Sequence, residues 1–384
     1  MPSNTESENS AFDWHQLPFA RQQLEAYLAT LYGNSIALHE VRTLKELGGG
    51  QLKAFGYGNP LFIEFSHITR KGERGTEQVV LHTMAPARFG HERRADRAYN
   101  LLLEYDTFNK LPRHVRSADV GAVTTTGALL SLGTADEFFH LSKFEPGSLY
   151  AEDLQRIADT GKLLPQDLAR TEALAAYLAE IHGQAPHDNG LTPQLYRRTW
   201  RDLVGHGEGI MGMLDSYPAD FAVAPPARLR AIEHQCIDWR WRCAMRTHRL
   251  RQVHGDFHPW NVLFQDGVNF VLLDRSRGEW GDPADDVSAL SINYLLFGLR
   301  QQGKWAGPFV ELFTRFWQHY LAQSGDDEVL DVIAPFFAWR ALVVAHPIWY
   351  PSLDEPVRAA IFRFIEAVLA VDRFDPTQID RYLE

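Results

Sequence analysis

The spacing of hydrophobic positions changes near residue 147, where short apolar runs give way to long helical repeats. Leu24, Leu28 and Leu31 recur at helical spacing and predict a leading helix that ends at Gly33. From about Ala37 to Leu141, strand-like runs alternate with turns that are rich in Gly and polar residues. Strands are predicted over 41–47, 61–65, 78–82, 121–125 and 138–144, with one helix over 93–105.

Helical periodicity dominates the rest of the chain. Helices are predicted over 166–182, 195–214, 227–245, 284–299, 308–323, 328–345 and 356–371. A β-like island at 253–274 interrupts them, and Glu145-Pro146-Gly147 breaks the chain between its two halves. The expected organisation is a polar tail with a leading helix at 1–36, a strand-rich lobe at 37–147 and a helix-rich lobe at 148–384, which is an α+β fold class.

Composition narrows the choice of partners. The 384 residues are 45% hydrophobic, enough for a substantial core, and carry a formal net charge of −11. Because an acidic chain repels phosphate backbones, we expect no nucleic-acid partner.

Cys236 and Cys243 are predicted to be small core residues rather than a disulfide pair. The N-terminus lacks signal-peptide features and no apolar run is long enough to span a bilayer, so we expect a cytoplasmic protein with no membrane partner.

The β-like island carries the candidate chemistry. Two apolar runs flank the turn Gln265-Asp266-Gly267 and predict a β-hairpin. Because the two ends opposite a hairpin turn are close together, Asn261 and Asp274 are expected to meet there. A carbonyl oxygen beside a carboxylate suits Mg²⁺, a hard cation that also binds water and phosphate oxygens. Asp256, on the loop before the hairpin, would accept a hydrogen bond from an incoming hydroxyl group, as in the phosphoryl transfer of kinases.

These residues belong to a longer pattern. The string HGDFHPWN at 254–261, termed the HGD loop below, resembles the HGDxxxxN loop of the aminoglycoside phosphotransferase and choline kinase families, which are relatives of the protein kinases. Asp274 matches their metal-binding Asp, GDPADD at 281–286 resembles their GDPxxD element, and LAEIH at 178–182 resembles their LAxLH helix. The resemblance implies a two-lobed, protein-kinase-like α+β fold with a small strand-rich N-lobe and a larger helical C-lobe.

The same resemblance implies a Mg²⁺-dependent phosphotransferase that moves the γ-phosphate of ATP or GTP to a hydroxyl group of a small molecule. It assigns Asp256 as the catalytic base or hydroxyl-orienting residue, His254 as the brace of this catalytic loop, Asn261 and Asp274 as metal ligands, and Asp282 and Asp286 as structural residues. The short stretch between Asp274 and Asp282 leaves no room for a long activation segment. This favours a small-molecule acceptor over a protein acceptor.

The sequence defines the nucleotide-binding residues less sharply. A glycine-rich loop should cover the phosphates, and Gly48-Gly49-Gly50 and Gly56-Tyr57-Gly58 both qualify, with the second preferred because a strand follows it. His82 falls nearest the position of the family's third-strand Lys, and a neutral His replaces a permanent cation poorly. Other bases that would serve are Lys53, Arg88 and Arg93, and the paired acid would be Glu92 or Asp96. The implied set of nucleotide contacts is Gly56, Gly58, His82 and Ser142.

The acceptor pocket is expected on the helical lobe beside Asp256. Aromatic, His and Arg residues are dense at 200–208 and 339–349, and the candidates are Trp339, Arg340, His346, Trp349 and Tyr350. Such residues suit many ligands, so the sequence does not choose among a sugar, an amino alcohol and a nucleoside.

Two other functions are compatible with parts of the sequence. His82 in place of Lys would suit a catalytically silent nucleotide-binding module, although the intact set of catalytic and metal-binding residues argues against it. A metallohydrolase would use His254, Asp256 and His258 as zinc ligands. Three ligands at alternate positions of one strand, however, chelate a tetrahedral ion poorly.

Overall fold

The computed structural model describes residues 12–44, 58, 60–69, 71–87, 90–187 and 190–384. The chain divides into two compact units, Met1–Ser142 and Lys143–Glu384. The smaller unit contains most of the longer strands and the larger unit is mainly helical. Gly147 belongs to the larger unit because it packs on a strand there: a Cβ atom at this position would lie 2.6 Å from the carbonyl oxygen of Phe264.

The smaller unit is built on a three-stranded antiparallel sheet. Its elements are α1 (Arg21–Tyr32), β1 (Asn34–Thr43), β2 (Leu61–Ile68), β3 (Arg74–Leu81), α2 (Arg94–Phe108), β4 (Gly121–Val123) and β5 (Leu129–Ser131). The strand order is β1-β2-β3, and β4 and β5 form a separate hairpin. Leu24 and Leu28 form the apolar stripe of α1 and pack with Ile63 and Phe65 of β2, so α1 covers one face of the sheet.

One predicted strand of this unit is wrong. Residues 138–144 form no strand, and their apolar side chains are exposed, Phe139 to 93%. The apolar composition alone suggested a strand, but a strand needs a partner, and β4 pairs with β5 instead. The predicted strand over 41–47 is only partly visible, since β1 ends at Thr43 and residues 45–47 lie outside the described residues.

The larger unit surrounds two short sheets with helices. Its elements are β6 (Ser148–Leu149), α3 (Tyr150–Thr160), α4 (Pro165–His182), α5 (Thr192–Gly205), α6 (Ile210–Asp215), α7 (Pro226–Cys243), β7 (Arg251–Gln252), β8 (Val262–Phe264), β9 (Phe270–Leu272), β10 (Trp280–Gly281), α8 (Ala284–Gln302), α9 (Pro308–Ser324), α10 (Ala334–Val344), α11 (Glu355–Ala370) and α12 (Ile379–Leu383). One sheet has the order β6-β8-β9 and the other pairs β10 with β7.

A single hydrophobic core runs through the larger unit. Helix α8 lies at its centre, with every residue from Val287 to Leu299 buried. Cys236 and Cys243 are buried and free in this core, as predicted. Among the helices of the described residues, none combines the length and the apolar character needed to cross a membrane.

Two predicted helices of the larger unit are interrupted. The helix expected over 195–214 is divided into α5 and α6. Between them, a Cβ atom at Gly209 would lie 2.4 Å from the carbonyl oxygen of Asp202, so the glycine permits a close backbone turn. The helix expected over 328–345 begins instead at Ala334, after a 3₁₀ turn at Asp327–Asp331. Pro335 occupies the first turn of α10, where the absence of its N–H group is tolerated.

Candidate active site

The hairpin predicted around the turn at 265–267 is present. β8 and β9 pair antiparallel, with Val262 opposite Leu272. Beyond this pair, the amide of Leu273 donates to the carbonyl oxygen of Asn261 at 2.9 Å. Asp274 follows directly and adopts a left-handed conformation, with φ of 51°. The hairpin thus brings Asn261 and Asp274 to the same open end.

Asp286 of α8 anchors the backbone of the HGD loop. Its carboxylate accepts hydrogen bonds from the backbone amides of His254 and Gly255, both at 2.7 Å, and lies 3.2 Å from Nε2 of His182. Gly255 has φ of +85°, a conformation that favours glycine. Asp286 is fully buried, so this anchoring takes place out of contact with solvent. Asp286 therefore fixes the backbone that leads into Asp256.

The side chain of His254, the first residue of the HGD loop, is buried, and the residue is 4% exposed. Its Nδ1 accepts a hydrogen bond from the amide of Asp256 at 3.3 Å, and its ring packs edge-on against Phe257. Its Nε2 has no hydrogen-bond partner among the described residues. His254 and Asp274 both line a cavity of about 180 Å³ in the larger unit. These contacts place His254 within hydrogen-bond distance of the Asp256 backbone, and its catalytic role stays a prediction.

Asp256 is surrounded by cationic side chains. Its Oδ1 accepts a hydrogen bond from Nη1 of Arg340 at 2.5 Å and lies 3.8 Å from Nε of Arg277. Its Oδ2 lies 3.6 Å from Nε2 of His258. Burial alone would raise the pKa of the Asp256 carboxyl, but the charges of Arg340, Arg277 and His258 together hold that pKa below its ordinary value. Asp256 is therefore ionised at neutral pH.

Arg340 connects Asp256 to helix α8. Besides Asp256, its Nη2 donates to the carbonyl oxygen of Gly255 at 2.9 Å and to Oδ1 of Asp285 at 2.6 Å. Its guanidinium lies 3.9 Å from the centre of the Trp339 ring. Burial raises the pKa of Asp285 to about 6. The positive charge of Arg340 opposes this rise, and the negative charge of Asp286 adds to it.

In the smaller unit, the structure pairs His82 with Glu104. His82 comes directly after β3, and its Nε2 lies 3.0 Å from Oε2 of Glu104 on α2. The sequence had suggested Glu92 or Asp96 for a paired acid, but Glu92 lies before α2 begins and Asp96 accepts a hydrogen bond from the amide of Arg93 at 2.7 Å. Helical periodicity predicted α2 without indicating which acidic residue meets the end of β3.

The other predicted nucleotide contacts are only partly described. Gly48, Gly49, Gly50, Lys53, Gly56 and Arg88 lie outside the described residues. Gly58 packs so closely that a Cβ atom would lie 1.9 Å from the carbonyl oxygen of Thr83, which accounts for a glycine there without a ligand. Ser142 is exposed at the end of the smaller unit.

The acceptor candidates His346, Trp349 and Tyr350 differ in burial and in their neighbours. His346 is fully buried and its Nε2 lies 3.1 Å from Oγ of Ser216, so it packs the core. Trp349 is 65% exposed. Tyr350 lies 6.4 Å from Trp260 of the HGD loop, measured between ring centres.

No group of three His, Cys, Asp or Glu side chains that could hold a metal ion occurs within the described part of the chain. His254, Asp256 and His258, which a zinc site would use, therefore form no such group.

Sequence reasoning missed the contacts that surround Asp256. Arg340 was a candidate only for acceptor binding, and Arg277 and Asp285 were not singled out. Asp285 lies inside the GDPADD string, so that motif could have drawn attention to it. Arg340 is 84 residues from Asp256, and the one local signal is a charged residue within the apolar sequence of α10.

A family model for the phosphotransferase enzyme family matches residues 93–322, which is more than half of the chain. Asp256, Asn261 and Asp274 lie within this matched region, and Arg340 lies outside it. Among curated proteins, no significant match to the chain is found.

Several solved structures are similar to the chain at low identity. Amicoumacin kinase hAmiN, solved in complex with AMP-PNP, Ca²⁺ and Ami, is 17% identical, with 94% of this chain and 97% of that chain covered and a TM-score of 0.40. Plasmodium vivax ethanolamine kinase is 12% identical, with 93% and 84% covered and a TM-score of 0.35. Macrolide 2'-phosphotransferase MphH from Brachybacterium faecium is 16% identical, with 92% and 100% covered and a TM-score of 0.30.

Proposed function

We propose that this chain, which belongs to the phosphotransferase enzyme family, transfers the γ-phosphoryl group of ATP or GTP to a hydroxyl group of a small molecule. Family membership bears out the resemblance found in the sequence and the two-lobed, protein-kinase-like α+β fold class expected from it. The donor, the metal and the type of acceptor group go beyond family membership and are parts of the proposal.

The observation that carries the proposal is the state of Asp256. Its carboxylate is ionised, held by Arg340 through Oδ1, and only 13% exposed. An ionised carboxylate accepts a hydrogen bond from an incoming hydroxyl group and so directs the oxygen lone pair at phosphorus. Because its pKa lies below the ordinary value, Asp256 is a weak base. Its main contribution is orientation, with the proton moving late in the transfer.

Asn261 and Asp274 fit the proposed Mg²⁺ site. Nδ2 of Asn261 donates to the carbonyl oxygen of Asp256 at 3.0 Å, so the side-chain oxygen is the atom left to bind a cation. Asp274 contributes an exposed carboxylate at the same end of the hairpin. Both are oxygen ligands, which Mg²⁺ prefers, and two protein ligands leave positions for water and phosphate oxygens. Bound Mg²⁺ would neutralise negative charge on the donor phosphates.

The proposed transfer forms one bond and breaks another, and a residue of this chain accepts the proton that is released. The acceptor oxygen forms a bond to the γ-phosphorus as the bond from that phosphorus to the bridging β–γ oxygen breaks, which releases the nucleoside diphosphate. The hydroxyl proton passes to Oδ2 of Asp256, the oxygen that Arg340 does not hold. The HGD loop keeps its position through the step because Asp286 holds its backbone amides.

On the nucleotide side, we propose that His82 takes the place of the third-strand Lys and that Glu104 holds its ring. Gly56, Gly58 and Ser142 remain the proposed backbone and side-chain contacts of the nucleotide. In this scheme, residues 37–147 bind the nucleotide, and residues 148–384 hold the acceptor and the catalytic loop.

The first test measures thermal unfolding of the purified protein with ATP, GTP and other nucleotides, in Mg²⁺ and in EDTA. A ligand that binds only the folded state raises the melting temperature by mass action. We expect a Mg²⁺-dependent rise with ATP or GTP that Asp274→Ala removes. Asp256→Ala should keep this rise and lose transfer to hydroxyl-containing acceptors, measured as nucleoside diphosphate release.

The silent nucleotide-binding module is the second candidate, and His82 is the observation that favours it. It predicts a nucleotide-dependent rise in melting temperature without turnover toward any acceptor or toward water. If neither ATP nor GTP at millimolar concentration changes the melting temperature, both functions are excluded.

A further inference from the structure

The geometry points to Arg340 as a positioning residue for phosphoryl transfer, one that holds the Asp256 carboxylate by one oxygen and presents the other oxygen to the acceptor. This inference rests on the proposed function. It adds a residue outside the region matched by the family model, on a helix that the sequence motifs do not include.

Arg340 is an unusual residue for its helix. Every residue of α10 except Val343 is buried, and the other members are apolar or aromatic. Arg340 is 7% exposed, and burial of its charge is strongly destabilising unless charges and hydrogen bonds compensate it. The compensation comes from two carboxylates, Asp256 and Asp285, and the carbonyl oxygen of Gly255. A packing role alone would be met by an apolar side chain such as Met.

The contacts of Arg340 fix the orientation of Asp256. Nη1 holds Oδ1 of the carboxylate, while Nη2 holds the backbone carbonyl of the preceding residue, Gly255. Two bonds from one planar group to adjacent points of the loop restrict both rotation of the side chain and movement of the backbone. Oδ2 faces His258 at 3.6 Å, beyond a direct hydrogen bond. Oδ2 is therefore the oxygen available to a hydroxyl group.

Arg340 is in turn held by its surroundings. Asp285 accepts from the same Nη2 atom, and the Trp339 ring lies against the guanidinium at 3.9 Å. The indole of Trp339 is itself fixed, because its Nε1 donates to the carbonyl oxygen of Glu208 at 2.9 Å. A Lys at position 340 would be a point charge with a different reach and could not reproduce the planar set of contacts.

The test measures steady-state hydrolysis of MgATP, with water as the acceptor, for the wild type, Arg340→Met, Arg340→Lys, Asp256→Asn and the double variant Arg340→Met/Asp256→Asn. We expect Arg340→Met to lower kcat by about 10- to 100-fold with KM for ATP unchanged within about twofold, because misplacing the nucleophile affects the chemical step. Arg340→Lys should restore less than about a tenth of the lost activity. The double variant should be no slower than Asp256→Asn, since the two residues act as a unit.

Arg358→Met is the matched control. Arg358 is 4% exposed on the neighbouring helix α11 and, within the described part of the chain, its hydrogen bonds go to the backbone carbonyl oxygens of Ala345, Tyr350 and Leu353. Its loss should lower the melting temperature as Arg340→Met does and leave kcat within about twofold of the wild type at temperatures where both variants are folded.

Two results would overturn the inference. One is a normal kcat for folded Arg340→Met, and the other is a double variant whose loss is the product of the two single losses. Absence of turnover in the wild type with both MgATP and MgGTP, toward hydroxyl-containing acceptors as well as water, would instead overturn the proposed function, and the positioning role with it. A normal rate in Arg340→Met beside a large loss in Asp256→Asn leaves the proposed function in place and removes only the role of Arg340.

Discussion

The HGD loop and the end of β3 both present polar side chains for which we propose a role in phosphoryl transfer, but the two regions hold these side chains differently. Asp256 contacts a buried Arg, and the backbone before it is bonded to the fully buried Asp286. Among the described residues, His82 makes one ion-pair contact, with Glu104, and the two side chains are 40% and 32% exposed. Exposed pairs contribute little to stability, whereas removal of one partner of a buried charged pair is strongly destabilising.

This difference in burial predicts how much each region contributes to the stability of the fold. Around Asp256, replacement of Arg340 removes the hydrogen bonds that Oδ1 of Asp256 and the carbonyl oxygen of Gly255 accept from it. Around His82, water can replace a lost partner. The loop should therefore tolerate almost no substitution, and the end of β3 should tolerate many.

The largest expected effect is that of Asp286→Ala. The change removes the acceptor of two backbone amides in the HGD loop and of His182. We expect a loss of about 3–5 kcal/mol in unfolding free energy, measured by urea denaturation. The matched control is Asp327→Ala, whose carboxylate is 77% exposed and bonded to Arg373; it should lose less than about 1 kcal/mol. Equal losses in the two variants would remove the contrast between buried and exposed carboxylates.

Asp285 provides a pH-dependent test of the same buried network. Its pKa is about 6 in the folded protein, compared with 3.8 for an ordinary Asp, so the folded state keeps its proton at pH values where the unfolded chain has lost it. Its contribution to stability is complete below about pH 3.8 and is lost as the pH rises through about 6, by up to about 3 kcal/mol. Asp285→Asn should lack this decline.

The measurement is the unfolding free energy of the wild type and Asp285→Asn between pH 4 and 7. The variant should gain stability relative to the wild type as the pH rises, with the difference levelling off above about pH 6. A difference that does not change with pH would contradict the assignment of a raised pKa to Asp285.

Gly255→Ala tests whether the loop depends on its backbone conformation. With φ of +85°, this position disfavours any residue with a Cβ atom, and the new atom would lie 3.1 Å from Cβ of Arg277. A loss of about 1–2 kcal/mol in unfolding free energy is expected, together with lower transfer activity. Gly267→Ala, at a positive φ with open space around it, separates the conformational effect from the contact with Arg277.

The smallest effect is expected for Glu104→Gln at the end of β3. The His82 contact is exposed, so the unfolding free energy should change by about 0.2–1 kcal/mol. Glu40→Gln, which alters another exposed pair of the same unit, should behave alike. A loss of unfolding free energy from Glu104→Gln as large as that from Asp286→Ala would contradict the expected difference between the buried and the exposed region.

The sequence predicted the parts of the site that are close together along the chain. Asn261 and Asp274 were placed at one end of a hairpin from the apolar runs and the turn between them, and the pairing of β8 and β9 confirms that hairpin. Their roles as metal ligands stay predictions. The fold class followed from the change in hydrophobic spacing and from the motifs, because both are local patterns.

The parts that sequence reasoning missed depend on tertiary contacts. Nothing in the sequence relates Arg340 to Asp256, since the packing of α10 brings them together. The strand expected over 138–144 failed because apolar composition does not supply a partner strand. Glu104 rather than Glu92 meets His82 because the geometry of α2, not its periodicity, decides which acidic side chain reaches β3.

The separation of 84 residues between Asp256 and Arg340 has a consequence during synthesis. A ribosome completes the HGD loop, the hairpin and the whole region matched by the family model before it makes α10. Domains fold as units as they emerge, but this carboxylate cannot be fixed until its distant cation has left the exit tunnel. The nascent chain thus carries all the motif residues before the side chain that holds the Asp256 carboxylate has been made.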